Sequence, residues 1–181
     1  MAVALVAASA CSSDDDDSAG KDPKESPSTS APSNEPTKTA DPTERAKADV
    51  ISFYSQYWQQ MERAYAKGSA DGTDLKKYAA GPALVGAKQE IKGMYRAGQI
   101  ATGKVTLGNP TVTKLDLTRK VPNATLSTCL DISKWDVVDR KTKKKAALPK
   151  DRLTKYVSVA TVERWPDGWK VIKDEPQETA C

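Results

Sequence analysis

The chain has 181 residues, 28 Lys and Arg against 24 Asp and Glu, a net charge of +4 and no histidine. That length suits one ordinary domain plus appendages. The missing histidine excludes Ser–His and Cys–His nucleophile pairs, histidine metal sites and the commonest general base near neutral pH. The 3 cysteines are too few and too scattered for a zinc cage, and no apolar run approaches the ~20 residues of a spanning helix. Charge is unevenly placed. Residues 12–44 hold 9 acids against 3 lysines, a balance of −6, whereas residues 45–181 hold 25 basic and 15 acidic residues, a balance of +10. All 4 Trp, all 6 Tyr and Phe53 lie in the second part, so only that part can build a core.

Residues 1–10, MAVALVAASA, are apolar and end in small residues immediately before Cys11. An apolar stretch running into a small-residue cleavage site is the core of an export signal. SACSS resembles the lipobox of bacterial lipoproteins, although Ala8 stands where that family usually has leucine and no Lys or Arg precedes the run. The resemblance implies cleavage before Cys11, a diacylglyceryl group on its sulfur, and a protein exported and lipid-anchored on the extracellular face of the membrane. Residues 11–40 read as the lipidated cysteine and an acidic Ser/Pro tether. With no aromatic residue the tether cannot offset its ordering entropy, so it is expected to be disordered. The acid run at 14–17 lacks a Gly-containing loop and reads as a solvated spacer rather than a calcium site.

The domain is expected over residues 41–181. Asp41 is a good N-cap, Pro42 fits the first helical position and Glu44 completes a capping-box pattern. Val50, Tyr54, Tyr57, Trp58, Met61 and Tyr65 then mark one face of a long helix that Gly68 ends. A turn at 71–74 leads to a short helix over 75–80, stopped by Gly81 and Pro82. Leu84, Val85, Ile91, Met94 and Tyr95 mark a third helix, ended by Gly98.

Past Gly98 the period becomes two. Strands are predicted over 100–107 and 111–118, with residues 108–110 either a turn or a bulge within one long strand. After a turn at 121–123 comes a strand whose Ala124, Leu126, Leu130 and Ile132 alternate with Thr125, Ser127, Cys129 and Asp131. The apolar parity then shifts to Trp135 and Val137, which suggests a bulge at 133–134. Residues 140–152 read as a protruding hairpin loop. A strand over 153–165, a turn at 166–168 and a last strand over 169–173 complete the pattern, followed by a polar tail to Cys181.

This order predicts an α+β fold, three N-terminal helices packed on a curved, cone-like antiparallel sheet and preceded by a disordered arm. It resembles the nuclear-transport-factor-2-like, or cystatin-like, architecture. The lipobox, the acidic Ser/Pro tether, TCLDISKW, ERWPDGWKV and the closing cysteine together resemble a group of uncharacterised secreted lipoproteins of Gram-positive bacteria. Once Cys11 carries lipid, Cys129 and Cys181 remain in an oxidising setting and are expected to form a disulfide pinning the tail across the outer face of the sheet.

Three functions are compatible with these residues. The first is a lipid-anchored envelope module binding a ligand or an envelope protein, with Tyr54, Trp58, Tyr95, Trp135 and Glu163 as candidate pocket residues. The second is a small lyase or isomerase using Glu163 with Tyr54 or Tyr95. Glu163 is expected to face inward with Val157, Val159 and Thr161, whereas Asp116 and Asp131 should point away from the core. The third is a structural adaptor whose Lys141, Lys143, Lys144, Lys145, Lys150 and Arg152 touch anionic wall polymer or headgroups. No catalytic residue, cofactor or metal is implied, the protein is read as a non-enzyme, and an exported protein has no routine contact with nucleic acid.

Overall fold

The computed structural model describes residues 41–181; the expected signal segment at 1–10, the lipidated Cys11 and the rest of the tether lie outside the described residues. Three helices precede six strands: α1 (Pro42–Lys67), α2 (Leu75–Tyr78), α3 (Gly81–Arg96), β1 (Gln99–Gly103), β2 (Thr106–Asp116), β3 (Asn123–Asp131), β4 (Trp135–Asp139), β5 (Lys155–Trp165) and β6 (Gly168–Ala180). The helices pack on antiparallel strands, so the α+β layout stands.

The Asp41 carboxylate accepts from the Thr43 N–H at 2.9 Å and so caps α1. Glu44 closes no capping box: it pairs with Lys47 at 2.8 Å in solvent instead. All six residues of the predicted apolar face are buried. At the other end Gly68 is left-handed, with φ 71°, and a Cβ there would run into the Tyr95 ring. Only glycine satisfies both demands.

Two helix boundaries differ from the sequence reading. α2 stops at Tyr78 because Ala79 turns extended and bridges Val171 of β6, while the Ala80 N–H donates to the Val171 carbonyl at 3.0 Å. Sheet hydrogen bonds win over one more helical residue. Gly81 and Pro82 then open α3 rather than closing α2, and a proline in a first helical turn forfeits no hydrogen bond.

The strands order as β2-β3-β5-β6 in one sheet and β1-β4 in a second. β1 leads into β2 and β3 into β4, so the two ladders are one long hairpin with a corner. The corner lies at Lys104 and Val105 on one side and at 132–134 on the other, where a turn carries the chain between sheets. The expected bulge at 133–134 is therefore this turn, and the parity shift marks a change of sheet. Of the two readings of 108–110, the bulge within one long strand holds, with a register shift between Gly108 and Thr111 inside β2; the strand expected over 100–107 is instead divided at the corner.

Two contacts hold the corner. Glu62 of α1 accepts from the Val105 N–H at 2.7 Å and from Lys104 Nζ at 2.9 Å. Gly103, with φ 108°, lets the backbone pass against the Lys134 carbonyl, where any Cβ would collide.

β3 alternates along its whole length, with Ala124, Leu126, Thr128 and Leu130 buried under the helices. β5 alternates too, but Ser158, Ala160 and Val162 take the inner face. Val157, Val159 and Thr161 lie on the outer face, contrary to expectation. Both parities of this strand are apolar enough to be buried, so register against β3 decides. The tail is not a loose end: β6 runs to Ala180 along β5, and a disulfide joins Cys181 to Cys129, with Cα atoms 5.8 Å apart. Cys129 pairs with Val157 in register, which puts the bridge on the outer face, spanning from β3 across β5 to the end of β6.

Candidate functional site

β6 carries the feature that builds the site. Its register against β5 shifts between Thr161 and Val162, leaving Ile172 without a partner. Such a bulge flips the alternation. Trp169 and Val171 face inward before it, and Asp174 faces inward after it, opposite Ala160.

Asp174 Oδ1 accepts from the Ser158 hydroxyl at 2.7 Å and from the Tyr54 hydroxyl at 2.9 Å. Burial pushes its pKa up to about 6, against the opposing pull of hydrogen bonds from Ser158, Tyr54 and the nearby Tyr57. The residue as a whole keeps some solvent exposure at the cleft, but its carboxylate lies among α1 side chains, where desolvation dominates. Burial, and then the charge of Asp174, hold the Tyr54 and Tyr57 phenols well above the ordinary value, and burial and then Glu90 do the same for Tyr65. These tyrosines are neutral donors at any physiological pH.

Between α1, α3 and the inner face of the sheet lies a cleft of about 450 Å³. Its walls are aromatic: Tyr57, Trp58, Tyr65, Trp135 and Tyr156, with Met61, Leu130 and Ile132. The rings of Tyr65 and Trp135 meet edge-on at 4.9 Å, as do those of Trp58 and Trp135 at 6.1 Å. Edge-to-face packing of this kind makes a stiff wall. Asp174 and Ser158 form its polar end, and Glu90, Lys173 and Glu175 its rim. The Nε1 atoms of Trp58 and Trp135 are buried without a hydrogen-bond acceptor. The Trp58 N–H lies close to the Tyr54 hydroxyl and draws its pKa down against the effect of burial.

The sequence-derived pocket residues divide. Trp58 and Trp135 line the cleft. Tyr54 is fully buried behind it and reaches it only through Asp174. Tyr95 is elsewhere: it is 41% exposed and lines a separate depression of about 770 Å³ with Lys67, Lys88 and Lys92. There the Arg140 guanidinium stacks on its ring at 4.5 Å and donates to its hydroxyl at 3.1 Å. Glu163 is on the outer face, accepting from Trp165 Nε1 at 3.1 Å. It cannot work with Tyr54 or Tyr95.

Asp131 and Asp116 point away from the core as expected. Hydrogen bonds from Ser133 and then Lys155 hold Asp131 down to about 2, and Asp116 caps its own turn through Thr118. Asp174 was missed because it sits in the polar run DEPQE, and only the bulge turns it inward.

The basic loop over 140–152, expected to protrude, folds its first half back on β4: Lys145 bridges Val138, and the Ala146 N–H donates to the Val137 carbonyl at 2.8 Å. Lys141, Lys143, Lys144 and Lys150 are exposed, Arg152 partly so. Among the described residues, only Lys145 of the six is within 4.0 Å of a carboxylate, Asp136 at 2.8 Å.

No protein-family description and no curated protein matches this chain. Among solved structures it is similar to the crystal structure of the intermembrane space region of the chloroplast protein ARC6, with a TM-score of 0.46 and 13% identity, covering 75% of this chain and 97% of that one.

Proposed function

We propose that this protein is an envelope lipoprotein, held at the membrane through Cys11, whose folded unit binds a small ligand in the cleft between α1, α3 and the sheet. The observation that carries the ligand reading is the cleft of about 450 Å³ whose aromatic walls surround the Asp174 carboxylate. An apolar cleft with a few convergent polar groups is the usual form of a small-molecule site.

Binding fits better than catalysis. A carboxylate–tyrosine pair does lie at the cleft, but Tyr54 and Ser158 both give their protons to the same Asp174 oxygen. That leaves no acid paired with a base across a substrate. Export is supported by the Cys129–Cys181 bridge, which suits an oxidising compartment. Among the described residues no helix is long and apolar enough to cross a membrane.

Two experiments test the proposal. Expressed whole in a Gram-positive host, the chain should fractionate with membranes, and Cys11→Ala should release it; unchanged processing and association would end the anchor reading. For the cleft, tryptophan fluorescence of the full chain is followed against a panel of small cationic, neutral and anionic polar compounds. Gly86→Leu is the control, because Gly86 lines the cleft and a Cβ there meets nothing within 4 Å. If no compound gives a saturable signal that Gly86→Leu removes, the cleft is not a ligand site.

A second reading is favoured by one observation. Arg140 at the base of the basic loop stacks on Tyr95, which joins the loop to a depression lined by Lys67, Lys88 and Lys92. This continuous basic face would hold anionic polymer or headgroups.

A further inference from the structure

The cleft is acidic on a basic domain. Residues 45–181 carry +10, yet the cleft is lined by Glu90, Asp174 and Glu175 against the one ammonium of Lys173. Lys173 and Glu175 pair with each other at 3.0 Å, so Glu90 and Asp174 are left to face the opening. Tyr54 and Ser158 both donate to Oδ1 of Asp174, and neither occupies Oδ2. A buried carboxylate favours a cation and disfavours an anion, whose charge would meet its own at low dielectric. Aromatic walls add to the attraction for a cation.

We propose that the cleft takes a small organic primary amine, with its ammonium on the Asp174 carboxylate and its carbon skeleton against the aromatic walls. This deepens the ligand-binding reading above and rests on it. The groups facing Asp174 are Tyr54, Tyr57 and Trp58 from α1, Glu90 from α3, Tyr156 and Ser158 from β5, and Lys173 and Glu175 beside it on β6. The tyrosines stay neutral throughout the range of interest, so a loss of affinity on mild acidification reports the carboxylates.

The test is calorimetric titration of the full chain with glucosamine against glucose, and with ethanolamine against ethylene glycol, so that each amine is compared with its hydroxyl counterpart. The amines are expected to bind at least about tenfold tighter at pH 7.5, as for a charge-assisted bond replacing a neutral one. Their affinity should fall roughly tenfold at pH 5 as Asp174 takes a proton. Asp174→Asn should erase both the preference for the amine and the pH dependence.

Should glucose or an anionic member of the panel bind as well as the amines, and Gly86→Leu remove it, the cleft remains a ligand site and the amine proposal alone falls. If neither an amine nor any other compound gives a signal that Gly86→Leu removes, both readings fall. Amine binding that is unchanged by Asp174→Asn places the ammonium elsewhere and overturns the proposal.

Discussion

The Tyr54 hydroxyl, in the middle of α1, donates to the Asp174 carboxylate at 2.9 Å across 120 positions of chain. This bond ties the first helix to the last strand. It exists because the irregularity at Ile172 turns Asp174 inward, and it sets the polar end of the cleft.

Asp174 should make stability depend on pH. Its folded pKa of about 6 lies above the ordinary carboxylate value of 3.8. Between those values the folded protein binds more protons than the unfolded chain, so this group's contribution to stability falls as pH rises through the window. Asn at 174 keeps an oxygen for Tyr54 and Ser158 but does not titrate. Relative to the parent, Asp174→Asn should therefore gain about 2 kcal/mol between pH 4.5 and pH 7.5. Urea unfolding at both pH values measures this, and a difference that does not move with pH would refute it.

Tyr54→Phe removes one hydrogen bond to a buried carboxylate and leaves the ring in place. A loss of about 1.5–3 kcal/mol is expected at pH 7, shrinking near pH 4.5, where a protonated Asp174 no longer needs the donor. A loss equal at both pH values would mean that Tyr54 contributes packing alone.

Glycines should sort by place. Gly103→Ala forces a Cβ into the Lys134 carbonyl at φ 108° and should cost at least ~2 kcal/mol. Gly93→Ala, within α3 and with nothing near its Cβ, should instead gain roughly 0.5–1 kcal/mol. Thermal melts of the two variants give opposite shifts if the corner of the hairpin is built as described.

The disulfide closes a stretch of 52 residues, for which the chain-entropy relation gives about 4 kcal/mol. Cys129→Ser with Cys181→Ser should lower the melting temperature accordingly and loosen the end of β6 first. Two alkylatable thiols in the unreduced parent protein, seen by mass spectrometry without denaturant, would contradict the bridge.

The basic loop should bind anionic surfaces weakly and in a salt-dependent way. Each lysine near such a surface is worth about 1 kcal/mol, fading over a Debye length of ~8 Å at physiological salt. Vesicles containing anionic lipid, titrated with the full chain across a salt series, supply the measurement. Changing Lys141, Lys143, Lys144 and Lys150 to glutamine should flatten the salt slope; an unaltered slope would assign these residues to solvent alone.

Local rules carried much of the fold. The cap at Asp41, the stripe from Val50 to Tyr65, the stop at Gly68 and the alternation of β3 all depend on neighbours within a few residues, and all are legible in the sequence. So is the pairing of Cys129 with Cys181, because it follows from counting cysteines in one compartment. Trp58 and Trp135 were identified as pocket residues for a similar reason: large aromatics in a small domain end up in or beside its core.

What the tertiary structure decided was register and side. A strand such as β5, apolar on both parities, does not say which face is inward until β3 pairs with it, and Glu163 went to the outer face for that reason. Tyr95 shares the apolar pattern of α3, but it lies beyond Glu90, the last α3 residue lining the cleft, and packs against Gly68 and Arg140 instead. Asp174 is the clearest case. Nothing in DEPQE marks a buried carboxylate; one unpaired residue, Ile172, reverses the alternation and places it beneath α1. A bulge is set by the pairing of two strands and the packing of a third element, and those distances along the chain exceed any local signal.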